Sequence, residues 1–529
     1  MMKRFLIIAT LSLLTGAIGR AQWTPDQGDG TYINPIIHAD YSDPDVIRVG
    51  DDYWMVASSF TCMPGIPVLH SKDLVKWEIV NHVYDRLPLG KYDYPAHGEG
   101  SWAPSIRYHD GTFYVYFCTP NDGLFVARAK DPLGKWDLRQ MLEVVKWEDP
   151  CPFWDDNGDA YLVHSIHRGG PAVLHRMSAD GLELLDNGTV VYHDEAENPI
   201  LEGLKMYKKD GHYYIFAPAG GVESGWQTVL RSDNVYGPYE ARKVMEQGDT
   251  DINGPHQGGL VDTPDGQQWW FIHFQSKGIH GRVTHLQPAE WSEDGWIVIG
   301  DDADGDGIGN PVSKCEKPNI KAEEIINPQT SDNFDSPTPS LQWQWQCNPR
   351  EEWYSLTENP GKMRLYAIPC PSEKGNLYYA GNLFLQKIAA PGFKATTGID
   401  ADFTIDGERA GLIMMGNRYS YIALIKGDDG NRVAVVTGKS DKFAVTPQEM
   451  ASVKVNVHKI WLGVELVSDT ECRYSYSLDG INYTQLGENC EVAPGMWIGA
   501  KTGIFCLSPN VVKGKGYADF DCFQVETIP

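Results

Sequence analysis

Between residues 50 and 275 the chain repeats one short pattern five times: a turn with Asp, Asn or Gly, then an aromatic-rich apolar run. The copies read GDDYWMVAS (50–58), HDGTFYVYF (109–117), DNGDAYLVHS (156–165), KDGHYYIFAP (209–218) and PDGQQWWFIHF (264–274). Between Trp54, Tyr114, Tyr161, Tyr214 and Trp270 the spacings are 60, 47, 53 and 56 residues. Asp-Gly flanked by alternating apolar residues is a hairpin signal, because the tight turn needs positive φ and the strands favour aromatic and β-branched side chains. One hairpin cannot bury its own apolar face, so a hairpin recurring at this period predicts stacked propeller blades. Five copies predict five blades.

Three fainter echoes lie between the copies: HSKDLVKWE (70–78), RAKDPLGKWD (128–137) and RSDNVYGPYE (231–240). Each falls where a blade's outer strand would end in a turn capped by Trp or Tyr. Residues 302–330, rich in turn formers and charge, read as a connector. From Ser331 the texture changes to alternating strands such as LQWQWQ (341–346), SYIALIK (420–426), VAVVTG (433–438) and KVNVHKIWLGVEL (454–466). These predict a second β domain, a jelly-roll-like sandwich, with DNFDS (332–336) and ADFDCFQVE (518–526) meeting at one edge. At 529 residues two cores are expected, and 54 Gly with 33 Pro suit an all-β chain with many turns. The expected organisation is a leader over 1–21, a five-bladed β-propeller over 22–318, a linker over 319–330 and a β-sandwich over 331–529.

Lys3 and Arg4, an apolar run from Phe5 to Ile18 and small residues before a cut after Ala21 form an export-signal pattern too short to span a membrane. With no Cys at the cut, the expected product is soluble and periplasmic. The net charge of −26 argues against nucleic acid, anionic membranes and polyanions as partners, and leaves a neutral saccharide compatible. The ten Cys show no C-x-x-C pair, so neither a zinc nor a thioredoxin motif is present.

The innermost strand of a propeller blade starts near one mouth of the central channel. Counting back from the hairpin aromatics, Asp43 lies 11 residues before Trp54, Asp149 12 before Tyr161 and Glu202 12 before Tyr214. Trp102 lies 12 before Tyr114, and His256 14 before Trp270. Asp43 and Asp149 each precede Pro, and Glu202 precedes Gly, so each taken alone would pass for a turn residue. Together the blades bring three carboxylates, a Trp and a His to one pocket. Carboxylates that converge cost repulsion and desolvation, and such clusters persist for function. Two acids across a bond, with a third tuning one of them, are the equipment for glycoside hydrolysis.

The segments NPIIHADYSDPDVIRVGDDYWMVASSF (34–60), GSWAPSIRYHDGTFYVYF (100–117), WEDPCPFWDDNGDAYLVHS (147–165), ILEGLKMYKKDGHYYIFAPAGG (200–221), GPHQGGLVDTPDGQQWWFIHFQ (254–275) and GRVTHLQPAEW (281–291) resemble glycoside hydrolase family 43. The likeness continues through DNFDSPTPSLQWQWQCNP (332–349) and YADFDCFQV (517–525), which look like the C-terminal sandwich of its xylosidase and arabinofuranosidase branch. The resemblance implies an inverting enzyme in which Asp43 is the general base, Asp149 the pKa-modulating and orienting residue and Glu202 the general acid. Inversion predicts roughly 6.5–9.5 Å between the acid and base carboxyls. Where many relatives read E-G-P, this chain has Glu202-Gly203-Leu204.

The resemblance also makes Arg282 a binder of sugar hydroxyls, and His256 a channel residue that contacts substrate or holds a structural calcium ion. Trp102 is expected as a stacking platform, and Phe60 as a rim residue or core. No cofactor is required for the chemistry. Asp302, Asp304 and Asp306 mimic the start of a calcium loop but lack its bidentate Glu, and Asp335 with Asp521 could share a calcium ion or simply pair at an edge. In the segment that in some relatives carries a rim aromatic, GAKTG (499–503), the aligned residue is Lys501. The favoured activity is exo-acting release of terminal α-L-arabinofuranosyl groups from hemicellulose-derived oligosaccharides. The alternatives are a β-D-xylosidase, dual activity, and a non-catalytic carbohydrate-binding propeller.

Overall fold

A computed structural model describes residues 23–321, 328–372, 374–440, 446–509 and 514–528. The segment read as an export signal lies outside these residues. Among them no helix is long and apolar enough to cross a membrane.

Each hairpin copy forms the first two strands of a four-stranded antiparallel sheet, and the five sheets are the blades. Their innermost strands are Asp45–Val49, Trp102–His109, Trp147–Trp154, Lys205–Lys209 and His256–Asp262. The Asp110-Gly111 and Asp210-Gly211 turns have positive φ at both central residues, as a two-residue hairpin with the twist of its strands requires. The echoes lie between third and fourth strands. There Trp77 and Trp136 donate Nε1 to the carbonyls of Leu74 (2.8 Å) and Pro132 (3.3 Å), and the Tyr239 hydroxyl donates to that of Val235 (2.9 Å). All three rings are buried, so each outer turn is pinned by an aromatic cap.

The circle closes without sharing a strand between its ends. Residues 31–41 instead run along the third strand of blade V, Arg282–Trp291. Ile37 and Thr284 exchange backbone hydrogen bonds, and Asn34 Nδ2 donates to the carbonyls of Leu286 and Val312 (both 2.8 Å). Thr31–Ile33 then pairs antiparallel with Lys314–Glu316, tying the start of the propeller to its exit.

The second domain is a sandwich of eight- and seven-stranded sheets. Leu412, Ile422, Val433 and Val435 of one sheet pack against Ile399, Ile460, Leu462 and Phe520 of the other, all fully buried. Each such side chain contributes about 1.5–3 kcal/mol relative to exposure. Asp332 and Phe523 exchange backbone hydrogen bonds (2.8 and 2.7 Å), so the first and last segments do meet. Asp521 forms ion pairs with Lys362 and Lys459. All ten cysteines are free thiols, eight of them buried.

The two domains are joined by backbone contacts. Met63 and Trp345 exchange N–H···O bonds (3.0 and 2.6 Å), Asn348 clamps both the N–H and the C=O of Leu87, and Ala500 N donates to the Ile279 carbonyl (2.7 Å). Gly281 and Gly499 approach so closely that a Cβ on Gly499 would lie 2.7 Å from the Gly281 nitrogen. Lys501 is buried in this interface, donating to Cys62 Sγ (2.9 Å) and Gln344 Oε1 (3.0 Å). Contrary to the expectation from sequence, it does not reach a pocket rim.

Candidate active site

The sheet registers define the site. Trp54, Tyr114, Tyr161, Tyr214 and Trp270 pair with Ile47, Arg107, Phe153, Tyr207 and Val261 of the innermost strands. Four residues upstream of these partners stand Asp43, Ala103, Asp149, Gly203 and Gln257. Each has positive φ, between +33° and +67°. A left-handed residue here turns the chain from the pocket into the strand, and in blades II, III and V a bulge marks the same point. Non-glycine residues pay about 1–3 kcal/mol each for this conformation, a strain typical of functional sites.

One residue earlier lies a second ring: Ser42, Trp102, Glu148, Glu202 and His256. Counting from the hairpin aromatics instead puts Trp102, Glu202 and His256 level with Asp43 and Asp149. The longer turns at 155–159 and 263–268 shift that count, and the true partner of Glu202 in blade III is Glu148. The count from aromatics misses Glu148 although it adjoins Asp149. Counting from strand partners finds it.

The rings converge on a cavity of about 450 Å³. Asp43, Phe60, Trp102, Asp149, Glu202 and Arg282 line it, joined by Glu148, His167, Gln257 and Trp497. Its floor is closed by the buried Asp45–Arg107 ion pair (2.6 Å), and Arg107 also donates to Cys151 Sγ (3.0 Å). A second cavity opens on the far side of this plug and shares no lining residue with the first.

Asp43 is held from two sides. Its Oδ1 accepts from Arg282 Nη1 and its Oδ2 from Ser58 Oγ, each at 2.6 Å. Both partners are mostly buried, so the charge-assisted pair is stiff and poorly screened. Asp43 stands outside a tighter trio, Glu148, Asp149 and Glu202, whose carboxylate oxygens come within 4.8 Å of one another.

Asp149 Oδ2 accepts from the Gly203 N–H (2.5 Å) and from Gln257 Nε2 (3.3 Å), which ties it to the turn that carries Glu202. Burial, then the charge of Glu202, push its pKa up to about 7. Glu148 is pushed up to about 9 by burial and by the charges of Asp149 and Glu202. Burial also acts to raise Glu202, but the hydrogen bond and charge of His256 outweigh it and lower its pKa. Two of the trio are thus pushed toward the protonated form, whereas Glu202, 2.8 Å from His256 Nε2, is pushed the other way.

His256 is fully buried behind Glu202, to which its Nε2 is bonded, and is not among the residues that line the cavity. Its donor set does not fit calcium. Nε2 is spent on Glu202, Nδ1 is an orphaned nitrogen, and calcium takes ~6–8 oxygen ligands. Asp302 accepts from the N–H groups of Gly305, Asp306 and Gly307, and its carboxylate lies within 4.8 Å of those of Asp304 and Asp306.

Aromatic rings form the wall. Trp102 meets Phe60 edge-on at 6.3 Å and Trp497 at 6.2 Å. Trp497 belongs to the sandwich, stands 47% exposed with φ +64°, and reaches the pocket over Gly98, where a Cβ would strike Met496 Cγ at 2.5 Å. The rim aromatic is therefore Trp497, four residues before Lys501. No local pattern marks it, because only the docking of the two domains brings it there.

Comparison with known proteins agrees with this architecture. The model of glycosyl hydrolases family 43 matches residues 32–297, and that of the beta xylosidase C-terminal Concanavalin A-like domain matches residues 331–526. The chain is 45% identical over 489 residues to a putative beta-xylosidase of Xylanibacter ruminicola, covering 91% of this chain and 87% of that protein. It is 34% identical to a beta-xylosidase of Formosa agariphila (95% and 91% covered) and 29% identical to a non-reducing end alpha-L-arabinofuranosidase of Bacteroides ovatus (94% and 95%). A crystal structure of a family 43 protein from Bacillus licheniformis superposes with a TM-score of 0.83 at 27% identity, covering 94% of this chain and all of that one. With both domains matched in order and the acids set at the mouth of five blades, the chain belongs to glycosyl hydrolases family 43.

Proposed function

We propose that this glycoside hydrolase is exo-acting and inverting, and that it removes a terminal β-D-xylosyl group from hemicellulose-derived oligosaccharides. The observation that carries the reading is the division of the acids: Asp43 on Arg282 and Ser58, outside the trio that contains Glu202. Asp43 is the base that orients a water and takes its proton. Glu202 lines the pocket while His256 does not, so Glu202 is the acid that protonates the glycosidic oxygen, held in place by its 2.8 Å bond to His256. Asp149, bonded to the Gly203 N–H, holds the turn that aims Glu202. A cavity plugged at its floor suits end-on entry of one sugar.

The xyloside is favoured over the arabinofuranoside expected from sequence because the relatives at 45% and 34% identity are named beta-xylosidases. The arabinofuranosidase at 29% identity supports the second reading, as the two sugars offer similar hydroxyl patterns to one pocket. The test is initial rates on aryl β-D-xyloside and aryl α-L-arabinofuranoside with Glu202→Gln alongside, and NMR of the first-formed anomer. Release of α-xylose, lost in the variant, is expected. β-Xylose as the first product refutes inversion, and binding without turnover of either sugar favours a non-catalytic propeller.

A further inference from the structure

The mechanism above leaves one well-built feature of the pocket wall unused. Glu148 Oε2 meets His167 Nδ1 at 2.5 Å, and Glu148 Oε1 accepts from the Arg168 N–H (3.2 Å). The loop that carries His167 is held in place: its own N–H donates to the Lys146 carbonyl (2.7 Å), Gly170 N donates to the Ile166 carbonyl (2.8 Å), and a Cβ on Gly169 would lie 2.5 Å from Ile200 Cα. The imidazole is therefore fixed in position and orientation. A histidine bound through one nitrogen to a buried carboxyl group offers the other to a ligand. His167 lines the cavity with its side chain 29% exposed, and its Nε2 has no protein partner among the described residues.

Its location says which part of a substrate it meets. Asp43, Arg282, Asp149 and Gln257 gather where the sugar being cleaved must reach. His167 lies instead with the outer aromatics: its ring meets Trp102 edge-on at 5.4 Å, and Trp102 meets Trp497, the ring that the sandwich supplies. Its partner Glu148 is within 4.8 Å of both Asp149 and Glu202, so the ring contact with Trp102 is what sets His167 on the outer side of the acid. Next to the acid and toward the mouth is the place of the leaving group.

We propose that His167, positioned by Glu148, reads the leaving group: its Nε2 hydrogen-bonds a hydroxyl of the departing sugar and favours a saccharide there over an apolar aglycone. The inference rests on the exo-glycosidase reading above. Trp102 and Trp497 give contact area to any aglycone, whereas the imidazole rewards only one with a hydroxyl. A site built to pair a hydroxyl loses more when the hydroxyl is missing than an apolar wall does.

The test compares three xylosides with the same terminal sugar: xylobiose, n-butyl β-D-xyloside and an aryl β-D-xyloside. The butyl compound has a poor leaving group without hydroxyls, which separates hydroxyl recognition from help to the acid. In His167→Ala the ratio of kcat/KM for xylobiose over butyl xyloside falls about tenfold, mainly through KM. His167→Gln restores part of the ratio. Glu148→Ala, which removes both contacts, lowers the ratio as well, and the double variant falls no further than His167→Ala, because Glu148 acts through the imidazole. Equal losses on xylobiose and butyl xyloside, with the aryl compound spared, overturn the inference and assign the pair to proton supply for Glu202. An equal loss on all three overturns it in favour of a structural role. An unmodified chain that cleaves none of the three instead brings down the xylosidase reading on which the inference rests.

Discussion

Glu148→Gln is expected to make the protein more stable at alkaline pH, by an amount that grows with pH. The Glu148 carboxyl is pushed up to about 9 by burial and by its two acidic neighbours, from an ordinary value of 4.5. Between these values the folded chain holds a proton that the unfolded chain has released. Unfolding then releases a proton, so stability must fall as pH rises, by ~1.4 kcal/mol per pH unit for one group. The side-chain amide of the variant cannot titrate, yet it keeps an acceptor for the Arg168 N–H and a polar group for His167. Burial holds His167 below its usual range, so a charge on it is disfavoured across this interval. From pH 6.5 to 8 the stability of the variant relative to the parent should therefore rise by ~2 kcal/mol. Urea unfolding followed by tryptophan fluorescence at four pH values in that interval measures it. A stability difference that stays constant with pH would refute the argument, because it would mean that Glu148 is already ionised in the folded protein.

Three further outcomes are expected. Asp43→Asn and Glu202→Gln should each lower kcat/KM by about 10²–10⁴, and Glu202→Gln should spare substrates with good leaving groups, so steady-state rates across a series of aryl xylosides separate base from acid. Trp497→Ala, which strips the sandwich's ring from the wall, should raise KM for xylobiose about tenfold with kcat little changed; an unchanged KM would mean that the ring does not touch substrate. Gly203→Ala places a methyl 2.4 Å from Gln257 Cγ and 2.8 Å from Pro218 Cγ at φ +67°. It should cost ~1–3 kcal/mol in a thermal melt and lower activity, since the N–H that orients Asp149 shifts with it.

Much of this protein is legible in its chain because propeller blades are local. Hairpin turns, aromatic strands and aromatic-capped outer turns each lie within a few tens of residues, and their recurrence alone predicts five blades and places Asp43, Asp149 and Glu202 at one mouth. Backbone chemistry near the turns carries that information: Asp-Gly adopts the positive φ that a tight hairpin needs, and Asp tolerates the left-handed conformation at the strand entrance better than most residues. The register inside a blade is less legible, since hairpin loops differ in length. Glu148 therefore becomes visible as the counterpart of Glu202 only once strand partners are known. Other features depend on distant segments meeting and leave no local trace. Trp497 reaches the pocket because Gly281 and Gly499 let the two domains approach, Lys501 is buried by the same docking, and His256 turns to Glu202 from a neighbouring blade. The sequence by itself determined the repeating architecture and the identity of the acids. Tertiary structure alone decided which carboxyl keeps a proton and what walls the pocket, because burial and charge depend on which groups folding brings together.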